Sequence, residues 1–453
     1  MDADARKPGT PPGMPSAGPP PAGPRPLGGP SGVPARRGAA MPFILITVLI
    51  DMVSIGLIIP VLAPLVGSFT GSQADQAFWF GAVSFAFGIA NFFGAPVLGA
   101  LSDRYGRRPV LLLGFTGLAL SFFVTGLANA LWMLIAVRLV SGALQANAAV
   151  ANAYVADITP PEDRARRFAL LGAMFGLGFV LGPVMGGLLG SIDLHLPFYV
   201  AGSLALLNLL YGLFVLPESL PADKRSPFEW RKANPVSALR GLTRLEGIGP
   251  LVIAIAFATL AQLMLHSTWV LYTAFKFGWG PRENGWSLFA IGVMMFIVQG
   301  GLMRALLKRF AAERLALLGL LSAGLCYLGW ALATEGWVMY VFIIVNVLGY
   351  AVTAALQSIV SNAASADMQG RAMGALAGIS SIMAVAAPVI GAALLGFVSH
   401  LAPGDWRIGA PFFFCAALQA IATLLAWRHF RRPDFRSSAS ATAGPPAAAD
   451  VHP

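Results

Sequence analysis

Charge is what this chain has least of. Asp, Glu, Lys and Arg make up 11% of its 453 residues, against about 25% in an ordinary soluble domain. That shortage excludes a surface wetted on all sides, and the 57% of hydrophobic residues points to a polytopic membrane protein. Cysteine is nearly missing. Cys326 and Cys415 both lie inside apolar runs, so neither a disulfide framework nor a metal site is expected. Five scattered His, no phosphate-cradling glycine loop and no nucleophile-His-acid set leave no catalytic residue and no cofactor to name, so an enzyme is not expected. The net charge of +10 would suit nucleic acid in a soluble protein. In a membrane protein, Lys and Arg gather on the cytoplasmic side against anionic lipid, so the bilayer is the expected partner and nucleic acid is not.

What is present is a series of apolar runs, each near the ~20 residues that cross a ~30 Å hydrocarbon core. Six are read at about 42-67, 77-101, 109-129, 131-156, 168-190 and 197-217, and six more at about 248-273, 284-307, 314-333, 336-362, 370-399 and 409-429. The expected fold is all-α, with twelve transmembrane helices in two six-helix pseudo-repeats. Residues 1-41 and 431-453 read as disordered cytoplasmic tails, without a cleavable signal peptide at the start. The bundles are 42-217 and 248-430, and the linker 218-247 carries a surface-lying helix around 235-245. Arg104, Arg107, Arg108, Arg164, Arg166, Arg167, the linker, Lys308, Arg309, Arg314 and Arg371 all fall on one side of this count. Lys276, Arg282 and Arg407 fall on the other. Such asymmetry predicts both termini in the cytoplasm of a cell with an inner membrane. The repeat is also visible in Gly182-Pro183-Val-Met-Gly186 and Pro388-Val-Ile-Gly391, each in the fifth helix of its half, and duplicated bundles of this kind rock about a midplane site.

Between the second and third runs lies Gly99-Ala-Leu-Ser-Asp103-Arg104-Tyr-Gly106-Arg107-Arg108-Pro109. The positive-inside rule alone accounts for the arginines. It does not account for Asp103, which can reach Arg104, Arg107 or Arg108, or for Gly99 and Gly106, which allow a tight reversal. The loop reads as a helix-to-helix latch. Asp157 ends the fourth run and can pair with Arg107 or Arg108, which suggests a gate.

Polar side chains inside the runs are the candidates for chemistry. Asp51 stands mid-way along the first, with Thr47 and Ser54 on its face; a carboxylate there costs roughly 2.5-3.5 kcal/mol on insertion scales and needs a cavity or a partner. It is read as a proton site, the alternative being a hydrogen bond that packs the bundle. Arg138 shares a face with Gln145 and Asn152, which follow it at intervals of seven, while Asn147 points away. It is placed near Asp51 in a proton-coupling or structural role. Gln262, His266, Trp269 and Thr273 form one stripe of the seventh run, and His266 either titrates or is a satisfied bundle histidine. Asn91, Gln299, Asn346 and Gln357 either line a cavity with Gln145, Asn152, Gln262 and Trp269 or glue helices together. Gly182, Pro183 and Gly186 make a groove and a bend in the fifth helix.

The pattern Gly-x-x-x-Asp-Arg-x-Gly-Arg-Arg resembles the signature loop of the major facilitator superfamily, and Gly178-x-x-x-Gly182-Pro183-x-x-Gly186 resembles the antiporter motif of its drug:proton exchangers. From about 41 to 400 the chain is similar to the tetracycline efflux branch. Asp51 with Gly56-Leu-Ile-Ile-Pro60, Ala95-Pro-Val-Leu-Gly-Ala-Leu-Ser-Asp103, Ala153-Tyr-Val-Ala-Asp-Ile-Thr159, Pro197-Phe198, Leu216-Pro-Glu-Ser219 and Gln369-Gly370 carry that likeness. It implies coupling or gating roles for Asp51, Asp103, Arg107, Arg138 and Asp157, and proton-driven export of a small amphipathic compound by a monomer. Tetracycline pumps carry an Asp in the third helix, a His in the eighth and an Asp in the ninth; here those positions are Ser121, Met295 and Ala323. The loop Leu307-Lys308-Arg309-Phe310 also has no acid to match Asp103. Uptake of a metabolite, or a sensor on the same fold, is the alternative.

Overall fold

The computed structural model describes residues 34-229, 249-363 and 366-431, and all regular structure among them is helical. The two tails, most of the linker and its expected surface helix lie outside the described residues. Six apolar spans form the first half: Met41–Gly67, Gln73–Tyr105, Arg107–Gly126, Leu131–Ile158, Arg166–Gly190 and Leu196–Phe214. Pro250–Phe277, Pro281–Arg309, Ala312–Leu332, Leu376–Val398 and Trp406–Phe430 follow, and Gly336–Val345 with Gly349–Val360 makes the tenth span, bent by 55°. The twelve spans are called first to twelfth below.

Packing repeats from one half to the other. The first span lies on the fifth and sixth as the seventh lies on the eleventh and twelfth, and the third lies on the sixth as the ninth lies on the twelfth. The halves meet along two seams, second against eleventh and fifth against eighth. Glycine sets how close they come. At the end away from the Asp103-Arg107 loop, a Cβ on Gly187 would lie 2.9 Å from Gly285 Cα, and one on Gly81 would lie 2.9 Å from Ala392 Cβ. Nearer the loop the same fifth and eighth spans part, and a Cβ on Gly172, Gly176, Gly300 or Gly301 would meet nothing within 4 Å. The halves therefore close at the far end and open at the loop end.

Two spans read as continuous are broken. The fourth stops at Leu144 and restarts at Asn147, with Gln145 extended at ψ 91°; the tenth stops at Val345 and resumes through a 3-10 turn at Gly349–Ala351. Neither break contains proline, whereas Pro60, Pro96, Pro183 and Pro388 all lie inside unbroken helices. Asn91 of the second span reaches across to the broken fourth, donating to the carbonyls of Gly142 (3.3 Å) and Gln145 (2.6 Å). Carbonyls freed in hydrocarbon need such a donor. The eighth span widens into a π segment at Ile297–Leu302, which carries Gln299.

Lys276, counted above as a loop charge, is buried at the end of the seventh span. Its ammonium donates to Ala331 O at 2.7 Å, against the carbonyl end of the ninth helix, which draws a cation. Within the first half, a Cβ on Gly182 would lie 2.6 Å from Gly56 Cα, and one on Gly186 2.0 Å from Leu57 O. Gly182→Leu is expected to cost about 1-3 kcal/mol or more from overpacking, while Gly172→Leu is neutral. Thermal melts of both variants in detergent, followed by intrinsic tryptophan fluorescence, compare them; equal melting points would mean that the first and fifth spans do not need their close approach.

Candidate functional site

A cavity of ≈ 880 Å³ lies between the halves. Of the polar residues singled out in the sequence, Asn91, Arg138 and Gln145 face it from the first half, and Gln262, His266, Gln299, Asn346 and Gln357 from the second. Phe87, Tyr327 and Tyr350 are among its aromatic walls. Ser121, Met295 and Ala323 line it too, so the three substituted positions all fall at the same space.

Two expectations fail here. Asn152 is exposed and donates to Ala148 O of its own helix at 2.8 Å, because the break after Leu144 resets the rotation on which the seven-residue spacing relied. Trp269 is 1% exposed and turned away from the cavity, with its indole N–H donating to Ser287 Oγ at 2.9 Å and its ring edge-on to Trp330 at 5.2 Å. Asn147 stays off the cavity wall that Arg138 and Gln145 line. Its amide donates to Asp51 Oδ1 at 3.0 Å.

Asp51 is absent from the cavity wall. It is 3% exposed and sits in a separate small hollow bounded by Thr47, Phe115, Asn147, Ala151 and Phe175. Thr47 Oγ1 in that hollow has no hydrogen-bond partner. Arg138, expected beside Asp51, instead faces the cavity with its guanidinium over the Phe87 ring at 5.8 Å. The broken fourth span thus serves two compartments, with Arg138 and Gln145 at the cavity and Asn147 at the hollow.

At the loop end, Arg107 is 9% exposed and gathers partners from three places. It donates to Asp157 Oδ2 at 3.0 Å, to Ser102 Oγ at 2.7 Å and to Asp103. Ser219 Oγ also donates to Asp157, at 3.2 Å. Glu218, just past the sixth span, accepts from the backbone N–H groups of Arg107 (2.8 Å) and Arg108 (3.2 Å). These are orphan donors at the start of the third helix, where a carboxylate also meets the positive end of the dipole. Gly106 has φ +106°, and a Cβ there would strike the Glu218 carboxylate, so the turn needs glycine twice over. Arg108 donates to Leu213 O, Arg104 lies over Tyr105 at 5.1 Å, and Gly99 faces open space. The chain then returns over the latch, with Ser226 N donating to Asp103 O at 3.1 Å.

The Major Facilitator Superfamily model matches residues 44-388. This chain belongs to that superfamily. Its members are transporters, and the chain is a transporter rather than an enzyme, carrying a small molecule across a membrane that it spans many times. It is 37% identical over 379 residues to the class C tetracycline resistance protein of Escherichia coli, covering 83% of this chain and 95% of that protein. It is 33% identical over 382 residues to the class D protein of Salmonella ordonez, covering 84% and 95%. Among solved structures it is similar to the human organic anion transporter MFSD10 (TETRAN), with a TM-score of 0.64 at 25% identity over 87% of this chain and 99% of that one.

Sequence reasoning passed over Asn147, Glu218 as a cap, and Gln419. Gln419 lines the cavity and is the one amide in Ala410–Phe430, a signal that was available. Arg107→Ala strips a partner from Asp103, Asp157 and Ser102, and is expected to cost about 1-3 kcal/mol. Asp103→Asn alters a carboxylate whose side chain is 52% exposed, and is expected to cost under about 1 kcal/mol. Melting points of the two purified variants test the ranking; the reverse order would move the weight of the cluster to Asp103.

Proposed function

We propose that this chain exports a small amphipathic compound, of the kind handled by tetracycline resistance proteins, in exchange for protons. The observation that carries the reading is the placement of Asp51: a carboxylate sealed in its own hollow, held by one neutral amide, one broken helix away from the cargo cavity. An ionised carboxylate needs water or a cation beside it, and the hollow holds neither a cationic side chain nor room for water. Asp51 therefore exchanges its proton when a shift among the first, third, fourth and fifth spans, which together line the hollow, opens it to water. Because Arg138 and His266 face the cavity, they act on cargo more directly than on that proton.

The chain works as a monomer in an inner membrane with both termini cytoplasmic, which makes the loop end the cytoplasmic end and the state described here inward-facing. Residues 42-217 and 248-430 move as two bodies joined by 218-247. Gly99, Asp103, Arg104, Gly106, Arg107, Arg108 and Asp157 gate the loop end, and Gly182, Pro183 and Gly186 carry the close contact of the first and fifth spans. Relatives named for drug resistance support export over uptake. A cavity, a latch and a buried carboxylate kept together support a working transporter over a sensor.

Proton release from acid-loaded everted vesicles on addition of tetracycline or a panel of amphipathic drugs tests this. Wild type is expected to release protons with at least one compound, and Asp51→Asn to lose at least about 90% of that release, on the scale of a lost proton carrier. Export that continues with proton release intact in Asp51→Asn would place coupling elsewhere.

A further inference from the structure

The charges around the cavity point to the class of cargo. Among its described lining residues there is no Asp or Glu, since Asp51 lies in the other hollow. Arg138 is a permanent cation and faces the cavity over an aromatic ring, with no carboxylate among the lining residues to pair with it. The other basic group on the wall, His266, is neutral or positive and never negative. On the second half's wall, Asn346 and Gln419 are 5% and 2% exposed, and each has an amide oxygen with no hydrogen-bond partner. A buried acceptor left without a donor carries its full desolvation penalty. Asn346 is at the break of the tenth span, the counterpart of the break beyond Arg138 in the fourth. Interrupted spans at matching places in two halves are where such folds build their binding sites.

We propose that the cavity takes an amphipathic organic anion or weak acid, with its oxyanion against Arg138 and its polar edge towards the wall that Asn346 and Gln419 form. The apolar body lies against Phe87 and Tyr327. An organic cation would meet Arg138 in a low-dielectric space with no carboxylate to answer its own charge. At ≈ 880 Å³ the space accepts a molecule of several fused rings. The cargo assignment rests on the transport reading, but its test needs no proton gradient.

Two xanthene dyes of similar size and opposite charge, fluorescein and rhodamine 123, serve as probes. Their binding to the purified full chain in non-ionic detergent is followed by fluorescence anisotropy. Fluorescein is expected to bind at least about tenfold tighter. Arg138→Gln brings the two within about twofold, Arg138→Lys keeps the preference, and Asn346→Asp turns it towards rhodamine 123. Equal binding, tighter binding of rhodamine 123, binding of neither dye, or a preference untouched by Arg138→Gln would each overturn the assignment. A chain that prefers fluorescein through Arg138 yet releases no protons with any compound would defeat proton exchange and leave the cavity assignment standing. Proton release with tetracycline together with a preference for rhodamine 123 would do the reverse.

Discussion

A backbone carbonyl in hydrocarbon has to find its donor inside the protein, so a membrane helix can be broken only where something else is ready to serve it. The fourth span is broken at Gln145-Ala146, and Asn91 of the second span donates to the carbonyls of Gly142 and Gln145 beside the break. With the helix unbroken, Arg138, Gln145 and Asn152 would share one face and Asn147 would lie opposite them. In the broken span Arg138 and Gln145 stay at the large cavity and Asn147 at the small hollow, and it is Asn152 that leaves the shared face. The tenth span is also broken, at Asn346, and the two interruptions lie on facing walls of one space.

The two ends of the molecule are held by different forces. At the far end the halves touch through small residues, Gly187 on Gly285 and Gly81 on Ala392, contacts whose strength depends on distance and shape. At the loop end the bonds among the described residues are polar and stay within the first half: Arg107 ties the second span to the end of the fourth, and Glu218 ties the end of the sixth to the start of the third. That cluster holds four spans as one body. Dispersion contacts between small residues are lost steeply as surfaces separate, whereas the ion pairs of the latch need not break for the halves to move.

Much of the fold was legible because hydropathy and loop charge are one-dimensional signals. Run lengths near twenty residues, the sidedness of arginine and the echo of Gly182-Pro183 in Pro388-Val-Ile-Gly391 were enough for twelve spans in two halves. The site was legible only in part. Eight of the amide, Arg and His residues singled out do face the cavity, because a polar side chain in an apolar run has few other places to go. Asn152 and Trp269 were misplaced by counting residues along helices assumed continuous or uniformly lined. Asp51 and Arg138 were joined because both are charged and both lie in the first half; sequence carries no distance between them. Asn147 and Gln419 were overlooked for the same reason, as single amides whose partners lie far along the chain.

The wall between the Asp51 hollow and the cavity has a consequence for fidelity. Where ion and cargo share a pocket, one can expel the other by occupying its place, and exchange is enforced by collision. On the proposed mechanism the two never compete for volume, so a strict one-for-one cycle depends on which combinations of occupancy allow the halves to swing. Any combination that swings when it should not is an idle stroke, spending the gradient without moving cargo. On that mechanism the residues at the break in the fourth span, which stands between the two spaces, govern slippage more than the affinity for either passenger.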